Sequence, residues 1–495
     1  MVGAGPNGLS AAIEIARAGR SVLVLEADAT PGGGCRTDER TLAGFAHDVC
    51  STVHPLGAAS PFFRGLDLEG AGVSWLHSPA ALAHVLGDGR VVTLERSLDE
   101  TAAQLGRDGD AYVRLMRPLV ERFDDLLEMV LGPLRWPTHL RLMARFGRDA
   151  IRSMEGLARA RFREDAAPAL LGGIAAHSMV TLDSLATASF ALVLGAAGHA
   201  VGWPIARGGS RAITDALVTR LKELGGEVLV SHHVTSLAHV PRARAYILDV
   251  APRQMLEIAG ARLPGWYRRR LANFRYGPGV FKIDWALREP VPWRDARCAR
   301  AATVHLSGTL DDIAAAERAP HAGEVAARPF VLFVQPSLFD PTRAPAGMHT
   351  GWAYCHVPSG WSGDATAAIE DQIERHAPGF REVILRRASV DASQLAAYNP
   401  NYVGGDINAG LSDVRQLFFR PMPRVDPYMT PAGDVFVCSS STPPGGGVHG
   451  MCGYWAAQSA LGVALRSRYR ASGGGGELSS SKGVSPFVPA SLPAS

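Results

Sequence analysis

Residues 1–26 read MVGAGPNGLSAAIEIARAGRSVLVLE, and this stretch decides the fold. Gly3-Ala4-Gly5-Pro6-Asn7-Gly8 is a G-x-G-x-x-G loop. Met1-Val2 ahead of it is the stub of a strand, and behind it Leu9, Ala12, Ile13 and Ala16 recur at helical spacing until Gly19 stops the helix. Ser21 to Glu26, SVLVLE, is a continuous aliphatic run of the kind a parallel strand shows when both its faces are covered. Strand, loop, helix and strand make a β-α-β unit. In such a unit Gly3 makes the sharp turn, Gly5 lets backbone approach a pyrophosphate, and Gly8 allows the helix to pack closely on the strand, its N-terminus toward the phosphates. Glu26 stands 18 residues after Gly8, where a carboxylate accepts hydrogen bonds from ribose hydroxyls and repels a 2′-phosphate. The unit predicts dinucleotide binding. Its first strand is shorter than usual, which predicts either further residues upstream or a weakened copy.

Around this unit the composition excludes several classes. The net charge is +3 with acids and bases mixed throughout, so no basic block marks a nucleic-acid surface. Cys35, Cys50, Cys298, Cys355, Cys438 and Cys452 form no C-x-x-C pair, which suits a reducing compartment and idle thiols. A glycine loop occupies the place of a cleavable signal, so a cytoplasmic location is expected. Ser184 to Ala206 carries no Asp, Glu, Lys or Arg and is as long as a bilayer crossing, but Gly195, Gly198, Gly202 and Pro204 break it. A buried helix beside an apolar cavity is expected there. Peripheral contact with a membrane stays open.

Six residues after Glu26 stands Gly32-Gly33-Gly34-Cys35-Arg36-Thr37. It resembles the second glycine motif of the amine-oxidase and phytoene-desaturase group of FAD enzymes, with Arg36 as the nearest substitute for the usual arginine and a fixed positive charge for the pyrophosphate. The blocks GFAHDVCSTVHPLG, GWPIARGGSRAITDAL, GGEVLVSHHVTSL, YVGGDINAG, RQLFFRP and CSSSTPPGGGVHGMCGYWAA extend the match. From Gly3 to about Leu465 the chain resembles the phytoene desaturase, carotenoid isomerase and retinol saturase superfamily, nearest the branch called pyridine nucleotide-disulfide oxidoreductase domain-containing protein 2. The disulfide chemistry in that name is rejected, for want of a redox cysteine pair.

The resemblance implies FAD, held by Gly3, Gly5, Gly8, Glu26, Gly33 and Arg36, by backbone near Val234 along the adenine, and by Ser440, Gly446, Gly447 and Val448 in the C-terminal block. Ser440 replaces an Asp common in the superfamily. The implied fold class is α/β, a Rossmann-type FAD-binding domain with a doubly wound parallel sheet, interwoven with an α+β substrate domain of amine-oxidase/phytoene-desaturase type. Residues 1–57, 206–255 and 411–470 are assigned to the first and 58–205 and 256–410 to the second, with a disordered tail at 472–495. Ser97 and Glu100 have capping-box spacing, and helices are expected from there to about Ala200.

The expected activity is desaturation or isomerisation of a long apolar, isoprenoid or lipid-like substrate, with oxygen or a quinone as electron acceptor. An amine or amino-acid oxidase and a non-catalytic FAD-binding interaction protein are the alternatives. His54 and His449 are the candidate proton carriers, with His177 a third histidine near the expected cavity. Asp48 and Asp406 read as loop ties. Tyr454 and Trp455 follow the last glycine block, but no aromatic pair assignable to an amine cage stands out.

Overall fold

The computed structural model describes residues 1–472, with side chains through Val463; the expected tail at 472–495 falls, apart from its first residue, outside the described residues. Val2 bridges in parallel to both Leu25 and Leu248. Leu23–Leu25 pairs in parallel with Glu227–Leu229, and Tyr246–Leu248 with Val435–Val437. These segments form one parallel layer whose centre is the stub at Met1 to Gly3.

Because side chains alternate along a strand, each segment of this layer feeds two cores. Val24, Ile247 and Phe436 face the side covered by helices Pro6–Arg17, Arg211–Glu223 and Met451–Ser472. Val2, Leu25, Leu248, Val435 and Val437 face the other side, against Met255, Ile258, Tyr267 and Leu271. The sheet is doubly wound, as expected. The helices Pro252–Ala259 and Gly265–Ala272 complete its second face, so residues 256–272 pack with the parallel layer and not with the second domain. Within the block GGEVLVSHHVTSL only Glu227–Leu229 is a strand, and Ser231 at φ 53° turns the chain away.

The second layer is a seven-stranded sheet in the order Ile384–Val390, Gly279–Leu287, His349–Val357, Val331–Val334, Ala301–Leu306, Ala80–Val85, Val91–Glu95. Every neighbouring pair is antiparallel except Ala301–Leu306 with Ala80–Val85. One face packs Trp285, Phe333 and Phe380 around helix Thr366–His376, and the other packs Leu82, Leu94 and Leu332 against the helices between residues 98 and 200. Ser97 caps its helix by accepting the Glu100 N–H at 3.2 Å. Thr187–Ala200 is a 14-residue helix, about 21 Å long. That is short of the ~30 Å bilayer core, and no described helix is long and apolar enough to cross a membrane.

An ion-pair cluster joins the layers. Arg343, fully buried, holds Asp48 at 2.9 Å and Asp340 at 3.0 Å. Asp48 also accepts Thr37 Oγ1 at 2.7 Å and the Ser210 N–H at 2.8 Å, while Asp340 accepts the Gly208 N–H at 2.7 Å. Asp48 is thus the loop tie expected of it, and Asp406 is another, accepting the N–H groups of Gly277, Asn408 and Gly410. Burial alone would raise the Asp48 carboxyl, but Arg343 and its hydrogen bonds bring it down to about 2. Arg343→Met leaves two buried carboxylates unpaired and is expected to cost about 3–5 kcal/mol in a denaturant melt. A carboxyl depressed in the folded state stabilises above its ordinary range, so the wild-type chain loses this stability as pH falls from about 4 to about 2.

Candidate functional site

One cavity of about 1270 Å³ runs from the glycine loop to the helices of the second layer, and its lining includes Gly3, Gly5, Glu26, Arg36, His54, Val234, Ser440, Gly446, Gly447 and Val448. Typical small-molecule sites occupy ~300–1,000 Å³, so this volume admits a dinucleotide and a second ligand. All but one of the sequence-predicted site residues line this single space, though chain position separates them by up to 446 residues (3 to 449). Gly8 lies behind it as a packing residue.

Pro6 starts the first helix at a position whose N–H would be unpaired anyway. Three positions around this turn leave no room for a Cβ. Gly3 has φ 93°, and a Cβ at Gly8 would sit 2.2 Å from the Gly3 carbonyl oxygen. At Gly5 a Cβ would meet Asp249 Oδ2 at 2.8 Å, and at Gly33, with φ 54°, it would come within 3.2 Å of the Gly5 Cα. The two glycine motifs are therefore packed on each other.

Sequence patterns alone miss Asp249. It follows strand Tyr246–Leu248, and its Oδ2 accepts the Gly8 N–H at 2.8 Å, one of the helix N-terminal donors offered to a phosphate. Its surface faces the cavity and not bulk solvent. Enclosure pushes the carboxyl up to about 7, with Glu26 adding to the rise. The signal that could find it is the one that marks Glu26: an acid at the carboxyl end of a parallel strand.

Glu26 Oε2 accepts the Ala4 N–H at 2.7 Å and Oε1 the Asp28 N–H at 3.0 Å, which fixes the carboxylate at the cavity edge. Arg36 departs from expectation. Its Nη1 pairs with Asp28 at 2.8 Å and donates to Tyr398 at 3.1 Å, and its Nη2 donates to the Thr30 carbonyl at 2.8 Å and lies 3.5 Å from Glu26. With two carboxylates around it the guanidinium braces Glu26, and its charge is not free for a pyrophosphate. Gly34 stands in the usual arginine position because a Cβ there would come within 2.7 Å of the Tyr402 hydroxyl.

In the C-terminal block Ser440 Oγ receives Asn7 Nδ2 at 3.4 Å. The last helix begins at Met451, three residues after Val448. His449 explains this start, since its Nδ1 accepts the Met451 N–H at 3.1 Å. A neutral imidazole accepting at Nδ1 carries its proton on Nε2, so His449 is a donor and a cap, and its expected role as a proton acceptor is corrected. His54 is different. It is buried in the cavity wall with both ring nitrogens unpartnered, and burial holds it down to about 4, so one nitrogen keeps a free lone pair at neutral pH. His177 also lines the cavity, its Nε2 3.2 Å from that of His305 and its ring edge-on to Trp203.

Arg420, in the block RQLFFRP, carries no local signal that would mark it in the sequence. It is fully enclosed and donates to the carbonyls of Gln416 and Ser440 at 3.0 Å; burial pulls its guanidinium below the usual arginine range, while Asp406 and Asp413 support the charge without forming an ion pair with it among the described residues. A Cβ on Gly445 would meet its Nη1 at 2.9 Å. A buried cation beside a cavity whose carboxylates are not in direct contact with it is a place for developing negative charge.

Tyr454 and Trp455 lie off the cavity, Trp455 donating to the Leu131 carbonyl at 3.0 Å. The aromatic pair in the wall is Trp352 and Tyr354, stacked with centroids 5.8 Å apart at 18°. A cation sandwiched between two rings needs a separation nearer ~7 Å or more, given van der Waals contacts of about 3.5 Å on each face. This pair has no room for one.

These donors and spaces fit FAD, and the fit is testable without turnover. Glu26→Ala is expected to weaken FAD affinity by about 1.5–3 kcal/mol, the loss of one charge-assisted hydrogen bond, read by isothermal titration of the apoprotein. Asp249, its carboxyl raised, is protonated at low pH and ionises as pH passes through about 7. Ionised, it faces the pyrophosphate anion, so FAD affinity should fall between roughly pH 6 and 8. Asp249→Asn should flatten that profile.

Residues 1–66 match the model of the NAD(P)-binding Rossmann-like domain. The mouse protein called pyridine nucleotide-disulfide oxidoreductase domain-containing protein 2 is 25% identical over 92% of this chain and 91% of its own. A limonene dehydrogenase polypeptide of Castellaniella defragrans is 32% identical over 27% of this chain and 24% of its own. Among solved structures, cyclohexylamine oxidase from Brevibacterium oxydans aligns with a TM-score of 0.58 at 14% identity, covering 94% of this chain and 98% of that one. The chain therefore has a Rossmann-like dinucleotide-binding domain set in a fold of amine-oxidase type.

Proposed function

We propose that this chain is an FAD-dependent oxidoreductase that desaturates or isomerises a long apolar, isoprenoid or lipid-like molecule. The observation that carries the reading is the far wall of the cavity. There Met143, Phe146, Phe190, Val193, Leu194 and Leu332 form the surface, and Arg135 and Arg420 are its charged side chains, with no carboxylate. The acids of the cavity, Glu26, Asp28, Asp249 and Glu257, belong to segments that follow the parallel strands. An ammonium substrate would meet no counter-charge on the far wall, whereas a hydrocarbon loses nothing by desolvation there.

When bound, FAD supplies the two-electron acceptor for a hydride and passes the electrons on to oxygen or a quinone. His54 accepts the proton released from the neighbouring substrate carbon at its free ring nitrogen. Arg420 holds a positive charge beside Gly445, where negative charge accumulates as the substrate is oxidised. Trp203, Trp352 and Tyr354 exclude water and position the chain of the substrate. The partial match to a protein named for limonene, a hydrocarbon, supports the same substrate class, while the fold shared with cyclohexylamine oxidase keeps an amine as the competing reading.

The test is a screen of flavin bleaching without oxygen. Protein carrying about one FAD per chain, as expected for one cavity of this kind, should bleach with isoprenoid polyenes. It should stay yellow with primary amines and with NADPH. Bleaching by amines alone would transfer the chain to the oxidase reading, and a protein that neither binds FAD nor can be loaded with it would refute both.

A further inference from the structure

One wall of the cavity is a face of the seven-stranded sheet. Side chains directly opposite each other on neighbouring strands share a face. Thr303, Val334 and Trp352 stand in register across three strands, and His305, Leu332 and Tyr354 form the next row. Thr303, Leu332, Val334, Trp352 and Tyr354 all line the cavity. His305 does not, because His177 covers it, with the two Nε2 atoms 3.2 Å apart, and His177 lines the cavity in its place.

The polar atoms of this wall are not consumed by the fold. Among the described residues, Thr303 Oγ1 and Trp352 Nε1 are buried without a hydrogen-bond partner. Tyr354 Oη and His177 Nδ1 have none either. The indole N–H is a donor and nothing else. Burial pushes the Tyr354 phenol up, so it stays protonated and donates as well. Of the two facing Nε2 atoms one donates and the other accepts, so His177 Nδ1 carries a proton in one tautomer and a lone pair in the other. Lys282 and Asp284 continue the two rows past Tyr354 and Trp352, and they are bound to each other, with Lys282 Nζ 5.0 Å above the Trp352 ring. Asp284 meets the Lys282 charge, so the wall offers hydrogen bonds and not a free cation.

We propose that this wall is a subsite for one carbonyl oxygen of an otherwise apolar substrate, held by the donors of Tyr354 and Trp352, with Thr303 and His177 flanking it across Val334 and Leu332. The stacked pair that is too closely spaced to cage an ammonium presents two near-parallel rings with one donor each, which suits an acceptor with two lone pairs. A hydrocarbon filling the same space would leave these atoms unpaired, and each such loss costs roughly five- to a hundredfold in affinity. A carboxylate would be buried without a free counter-ion, which is costlier still. Donors on the oxygen also stabilise negative charge drawn onto it, so a proton on the neighbouring carbon leaves more readily. The proposal rests on the apolar-substrate reading of the cavity and narrows it.

The experiment uses the FAD-loaded full chain and ligands of one skeleton: geranylacetone, the hydrocarbon with a methylene group in place of its carbonyl oxygen, and the corresponding primary amine. Affinities are read by isothermal titration, and the carbonyl stretch of the bound ketone by infrared difference spectroscopy. Geranylacetone is expected to bind roughly tenfold tighter than the hydrocarbon, with its carbonyl band at lower wavenumber than in hexane. Tyr354→Phe and, separately, Trp352→Phe should each cut that preference severalfold and move the band back toward its position in hexane. The hydrocarbon should stay bound to both variants, which shows the cavity intact. Equal affinity for ketone and hydrocarbon, or a band that neither variant moves, overturns the subsite and leaves the donors to water. That result beside bleaching by polyenes refutes the subsite alone. Tightest binding of the amine, or no binding of any of the ligands, refutes the apolar-substrate reading and the subsite with it.

Discussion

The space between Gly3, Gly8 and Asp249 is the constraint on which the rest depends. The first segment of the chain is central in its sheet, with Gly3 N–H on the Leu25 carbonyl at 2.8 Å and Val2 N–H on that of Ile247 at 3.0 Å. It must turn at once into a helix whose first turn touches the next strand. The turn leaves no volume for a Cβ at three positions, and the Asp249 carboxyl closes it from the other side. That geometry brings the carboxyl ends of the strands, and with them Glu26, Asp249 and Val234, to one rim. A cavity at such a rim is what a doubly wound sheet provides.

What could be read in advance followed from local rules. The glycine loop, the aliphatic second strand and the acid at its end each carry their own steric or electrostatic reason, and the structure assembles them as a unit. The hairpin Ala80–Val85 and Val91–Glu95 was equally legible in principle, since Asp88-Gly89 lies between two apolar runs and Gly89 has φ 87°. It was hidden because both strands are buried on both faces, so the apolar alternation that marks a strand is missing. Residues 256–272 misled for a related reason: their helices follow a strand of one sheet, and only the packing shows which face they cover.

The candidate site was legible by position more than by role. Nothing local separates His54, with both nitrogens unpartnered, from His449, with one committed to a helix N–H; the difference is made by residues folded around them. The same holds for Arg36, whose partners Asp28 and Tyr398 are 8 and 362 residues away in sequence. Arg343 and Asp48, 295 residues apart, could not be paired by any pattern. Long-range polar contacts of this kind are invisible to periodicity, yet they fix which charges are spent on structure and which remain for a ligand.

The helix Leu140–Ala150 shows how one element serves several demands. Its Met143, Phe146, Gly147 and Ala150 line the cavity, so its composition has to be apolar on that side whatever lies outside. An enclosed helix of a globular protein would turn a uniformly charged back to solvent. Here Arg141, Arg145 and Arg148 stand on the exposed side, while Met143, Phe146, Gly147 and Ala150 turn to the cavity, so the wall of the site and the surface of the molecule are set by two stripes of one short helix.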